Sequence, residues 1–81
     1  MELKDTVELM NSADYKERFI AEYQQTKIRY EKLKNMIAKW DKNELDFTPT
    51  CPREIYTYQL DAMKIYLDCL VIRAKIENVE L

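Results

Sequence analysis

Not one of the 81 residues is glycine, and the only two prolines, Pro49 and Pro52, stand close together. Glycine is the residue that most readily takes the positive backbone dihedrals of tight hairpin turns, so its absence argues against an all-β chain. It also removes every glycine-rich phosphate cradle, from the P-loop to the dinucleotide-binding turn. The two prolines mark one break in a chain that otherwise reads as helical. The expected fold class is therefore all-α: an antiparallel hairpin of two long helices preceded by a short N-terminal helix.

The expected divisions within a single domain spanning 1–81 are a short helix over 3–10, a helix over 14–41, a connector over 42–51 and a helix over 52–79. Leu3, Val7 and Met10 share one side of the first segment, and Asn11 and Ser12 interrupt it. Asp14 and Glu17 have the spacing of a capping box at the start of the first long helix. Phe19, Tyr23, Thr26, Tyr30, Leu33, Ile37 and Trp40 then follow in alternating steps of four and three, a coiled-coil-like seam with one polar position at Thr26. In the connector, Leu45 and Phe47 are expected to fold over the open end of the hairpin. Pro52 suits the first turn of the second helix, with Thr50 or Cys51 as its cap.

That second helix carries two apolar stripes rather than one. Tyr56, Leu60, Met63, Leu67, Leu70 and Ala74 make the first, assigned to the contact with the other long helix. Ile55, Tyr58, Ala62, Ile65, Cys69, Ile72, Ile76 and Val79 make the second. At about 100° per residue the stripes lie roughly 165° apart. A hairpin needs only one such face, so the second predicts a partner, most simply another copy. Ile65, Cys69, Ile72 and Ile76 are the expected oligomer interface of a homo-oligomeric helical bundle. Oligomerisation is also one of the ways a chain of this length compensates for a small core.

Composition argues against catalysis. There is no histidine to act as a base near neutral pH, and Cys51 and Cys69 have no recognisable partner for thiolate activation. Neither cysteine belongs to a metal-ligand cluster, so no metal and no cofactor are expected, and buried free thiols in a reducing compartment are favoured over a disulfide. The opening MELKDTVELM is acidic and lacks the apolar core of a secretory leader, and no apolar run has the length of a membrane span. These features point to a soluble, cytoplasmic protein. Net charge is −2, with residues 14–42 carrying eight bases against five acids. That excess is too small for a nucleic-acid polymer binder, yet enough for a small anion.

Candidate binding residues lie between the two apolar faces. Gln59, Tyr66 and Arg73 recur every seventh position, and a flank of the first long helix holds Arg18, Gln25, Arg29 and Lys32. Tyr15 stands at a helix start beside Lys16 and Arg18. Aromatic faces with guanidinium donors are what hold nucleobases and phosphates, so Tyr15, Arg18, Gln59, Tyr66 and Arg73 form the candidate ligand-binding set. The competing reading of the same residues is a set of inter-helix ion pairs, with the tyrosine hydroxyls at the rim of the core.

The segments YKERFIAEYQQTKIRYEKLKNMI, LDFTPTCP and QLDAMKIYLDCLVIRAKIE resemble a group of small proteins from phages of gut bacteria and Firmicutes, commonly described as related to a crAss-like phage protein. Tyr15-Lys16-Glu17-Arg18, the connector Phe47 to Pro52, Tyr66-Leu67 and Ile72-Arg73-Ala74 carry the resemblance most specifically. Size and hairpin architecture are also similar to the phage anti-CBASS sponges. That similarity implies a helical homo-oligomer that sequesters cyclic di- or trinucleotide signals in pockets between protomers, using aromatic and basic side chains such as Tyr15, Arg18, Tyr66 and Arg73. Two functions follow as expectations: a non-enzymatic sponge of this kind, or a protein–protein inhibitor of the anti-CRISPR type that docks through the spare apolar face. Size-exclusion chromatography with light scattering separates the two, a monomer favouring the inhibitor and a closed multimer the sponge.

Overall fold

A computed structural model describes residues 1–81 and shows an all-helical chain measuring 43 × 24 × 17 Å. A 3₁₀ turn over Leu3–Thr6 leads directly into the one-turn helix α1, Val7–Met10. Helix α2 spans Tyr15–Asp41 and α3 spans Arg53–Glu77. The long helices run antiparallel. Tyr15 meets Glu77 at one end of the hairpin, and Asp41 and Trp40 meet Arg53 and Tyr56 at the other.

The two seams read from the sequence face each other. Phe19 and Ile37 from α2 are buried, as are Leu67, Leu70 and Ala74 from α3. The tightest part of the core gathers Phe19, Leu70, Ala74 and Val79, with Ile20 and Tyr23 against it. At the connector end Trp40 packs edge-on to Tyr56, 5.9 Å between ring centres.

Helix α2 is covered on a second side as well. Ala21 is fully buried although it lies well away from the seam, because the N-terminal segment packs there. Thr6, also buried, satisfies its hydroxyl by donating to the Leu3 carbonyl at 2.7 Å. A side chain larger than alanine at position 21 would lift that segment from α2.

Five local expectations are corrected by the structure. The Asp14 carboxylate does cap α2, accepting from the Lys16 N–H at 2.9 Å. Glu17, however, does not reach back to complete the box. Ser12 intervenes, accepting from the Asp14 N–H and donating to Glu17 at 2.6 Å. Pro52 is the cap residue itself rather than the first helical residue: its ψ of 144° is extended, and its carbonyl accepts from the Ile55 N–H. Phe47 remains largely exposed, and only Leu45 tucks under the connector. Cys69 is an exposed thiol rather than a buried one, and Cys51 is half-buried; both are free.

The fifth and most consequential correction concerns Val79. Counted along the helix period it belongs to the outer stripe, but α3 has ended before it. Asn78 takes the left-handed conformation, φ 58° and ψ 46°, and the Val79 N–H donates to the Ala74 carbonyl at 2.8 Å. The chain turns back and Val79 is buried in the core. Asn43, φ 61°, ends α2 in a similar way, with the Glu44 N–H bound to the Lys39 carbonyl. A chain without glycine places asparagine at both left-handed positions, the residue that best tolerates them after glycine.

The outer stripe of α3 is left uncovered. Tyr58, Ile65, Ile72 and Ile76 retain 69, 64, 58 and 75 % of their surface, and Ala62 and Cys69 between them are exposed too. No helix is long and apolar enough to cross a membrane.

Candidate functional site

The antiparallel hairpin brings the two polar flanks read from the sequence onto one edge of the molecule, with α2 supplying Arg18, Glu22, Gln25, Arg29 and Lys32 and α3 supplying Gln59, Tyr66 and Arg73. The candidate residues do not converge in one cavity within a single protomer. Gln59 and Arg73 are separated by about 21 Å of helix rise, with Tyr66 midway.

At the end nearest the core, Arg73 is the hub. Its guanidinium lies 4.8 Å from the centre of the Phe19 ring. It donates to the Tyr15 hydroxyl at 2.9 Å and to Glu77 at 3.2 Å, while Tyr15 donates to the other Glu77 oxygen at 2.7 Å. Phe19 also receives the Tyr15 ring edge-on at 6.2 Å. The electrostatics follow the geometry. Hydrogen bonding from Tyr15, and then from Arg73, holds the Glu77 carboxyl below its ordinary range. The same bond to Glu77 pushes the Tyr15 hydroxyl up, and Glu77 likewise raises Arg73. Lys16 adds a contact to the Asn78 carbonyl at 3.2 Å, at the end of α3 where a cation is favoured.

In the middle of the edge Tyr66 is partly exposed, and its hydroxyl donates to Glu22 of α2. Tyr66 keeps 42 % of its surface exposed. Toward the connector end, Gln59 and Met63 face Arg29, Lys32, Leu33 and Met36 across a shallow groove of about 420 Å³, closed on one side by Leu3. Arg29 and Lys32 make no ion pair. Arg18 departs from the set: it turns toward the N-terminal segment and donates to the Ser12 carbonyl at 2.9 Å. Gln25 does likewise, donating to the Met10 sulfur at 3.2 Å.

Two residues that complete this edge escape a reading by sequence alone. Glu77 organises Tyr15 and Arg73, and its spacing of four from Arg73 is a signal that could have revealed it. Glu22, the partner of Tyr66, depends on the register between the helices, which periodicity does not fix. No group of three or more histidine, cysteine, aspartate or glutamate side chains is arranged to hold a metal ion.

No curated protein and no solved structure matches this chain. One protein-family model does, over residues 13–76, a span that runs from the cap of α2 to the last turn of α3 and contains Tyr15, Arg18, Gln59, Tyr66 and Arg73, with Glu77 just beyond it. The chain therefore belongs to the Sequestin family.

Proposed function

We propose that this chain is a non-enzymatic, phage-encoded anti-defence protein that binds a cyclic oligonucleotide signal and holds it away from the host effector that would respond to it. The family name denotes sequestration, and a sequestering protein needs affinity without turnover. The observation that carries the reading is the edge of Tyr66, Gln59 and Arg73 on α3 opposite Arg29 and Lys32 on α2. It offers an open aromatic face for a base, an amide for a base edge, and guanidinium and ammonium groups for phosphates. Tyr15 and Arg18 flank it at the α2 start. Because these groups are spread along the helices, the pocket is completed between protomers.

Isothermal titration against cyclic nucleotides of increasing ring size, with linear mononucleotides as controls, tests this directly. Micromolar or tighter binding of a cyclic member is expected. A folded protein that gives no heat with any of them excludes the reading.

The uncovered stripe of α3 supports a second reading, in which the chain is a protein–protein inhibitor docking on a host protein through that face. Light scattering separates the two, since a monomer in solution leaves the face free for a host partner and a self-associated species does not.

A further inference from the structure

The exposed stripe of α3 is a regular heptad. Ile55, Ala62, Cys69 and Ile76 occupy one core position, and Tyr58, Ile65 and Ile72 the other. The flanking positions are equally regular. Glu54, Asp61, Asp68 and Lys75 recur on one side at seven-residue spacing, and Gln59, Tyr66 and Arg73 on the other. Helices with such a stripe pair side by side, with the two core positions interlocking and the flanking residues choosing partner, direction and register.

We infer that α3 pairs antiparallel with α3 of a second copy about a two-fold axis passing beside Tyr66, so that the binding edge is built from both chains. Three features select this arrangement. First, it covers the stripe from Tyr58 to Ile76 and leaves only Ile55 at its rim: Tyr58 packs on the partner's Ile76, Ala62 on the partner's Ile72 and Ile65 on the partner's Cys69, each contact occurring twice. Ile76, the most exposed residue of the stripe, is thereby covered.

Second, the charges agree. Asp61 falls opposite the partner's Lys75, again twice, and neither residue has an ion-pair partner within its own chain. The one like-charge meeting, Asp68 with the partner's Asp68, is compensated in each chain by Lys64, whose ammonium lies 2.6 Å from the Asp68 carboxylate. Sliding the pair by one heptad would leave Ile76 uncovered and set Asp61 against the partner's Asp68. A parallel pair would set Asp61 opposite the partner's Tyr66 and leave that carboxylate without a cation.

Third, the opposite flank assembles a site. Tyr66 meets the partner's Tyr66 beside the axis, and Gln59 falls near the partner's Arg73 on either side. Two residues about 21 Å apart in one protomer become neighbours through the symmetry. The pairing deepens the proposed function, because it turns a dispersed edge into a bounded surface: two aromatic rings between two guanidinium groups, suited to a nucleotide with more than one phosphate. Lying on the axis, that surface takes one ligand per two chains.

Cysteine crosslinking in a Cys51→Ser background, without nucleotide, tests the pairing alone. Cys69 by itself faces the partner's Ile65 and forms no covalent dimer on oxidation. Adding Ile65→Cys brings a thiol opposite Cys69 of the partner subunit, and a covalent dimer results. Crosslinking through Cys69 alone would instead identify a parallel pair, and a dimer in neither case would refute the register; either overturns the inference. Lys75→Glu should raise the dimer dissociation constant about tenfold, with recovery on adding Asp61→Lys; a pair of changes that merely accumulate loss counts against the arrangement. Ligand stoichiometry tests the shared site separately: one cyclic nucleotide per two chains is expected, and one per chain overturns it. A crosslinked dimer that binds no nucleotide rejects the proposed function and leaves the pairing standing.

Discussion

Tyr15 and Arg73 stand 58 positions apart in the chain, yet the guanidinium donates to the phenol oxygen at 2.9 Å. This bond, with the Glu77 carboxylate closing the triangle, fastens the start of α2 to the end of α3. It ties together the ends of the two helices that carry the binding edge.

The triangle gives stability a defined pH dependence. Glu77 is held below the ordinary carboxylate range, so its contribution is present above that range and is lost as pH falls through the lowered value. Tyr15 is raised above 10.0, so the neutral phenol favours the fold and that contribution is lost as pH rises through the raised value. Denaturant midpoints should be flat near neutrality and fall at both extremes. Tyr15→Phe should remove the alkaline fall caused by this group, while Glu77→Gln should blunt the acid one.

The two faces of α3 should respond differently to substitution. Leu70 is fully buried, and Leu70→Ala should cost about 2–5 kcal/mol, comparable with the whole stability of a domain this small. Ile72→Glu lies on the outer stripe and should leave the helical circular dichroism unchanged while abolishing self-association in light scattering.

At the C-terminal turn, Asn78→Ala should destabilise by about 1–2 kcal/mol, because alanine resists the left-handed conformation. Asn78→Gly should be neutral to slightly stabilising. Chemical denaturation compares the two; equal losses would show that the asparagine side chain, not its backbone, is what matters.

Ligand binding should separate the ring of Tyr66 from its hydroxyl. Tyr66→Phe loses the bond to Glu22 but keeps the stacking face, so affinity should change less than threefold by titration, a loss of less than about 0.7 kcal/mol. Tyr66→Ala removes about 1–3 kcal/mol of stacking, a loss of roughly fivefold to more than a hundredfold.

Much of the fold is written in periodicity. The seam from Phe19 to Trp40 and the inner stripe from Tyr56 to Ala74 are the residues that meet. Periodicity fails where the helix itself stops. Val79 continues the outer stripe by count, but an αL residue before it reverses the chain, and nothing in a spacing rule records that Asn78 turns there. Asp14 and Glu17 have capping-box spacing, yet a hydroxyl two residues upstream competes for both partners. The candidate edge was legible as residue types on two flanks. The triangle around Arg73 was not, since it needs the register between helices to bring Tyr15 and Glu77 within reach of one guanidinium.

Helix α2 is packed on two sides, by α3 along its seam and by the N-terminal segment over Ala21, whereas α3 is packed on one. The amides of α2 near Phe19 and Ala21 should therefore open only with the whole molecule, and exchange with solvent deuterium most slowly. The turns of α3 between Ile55 and Leu60, far from the buried cluster around Leu70, can fray without disturbing it. In a dilute monomer those amides should exchange early, and their slowing with concentration would follow assembly residue by residue.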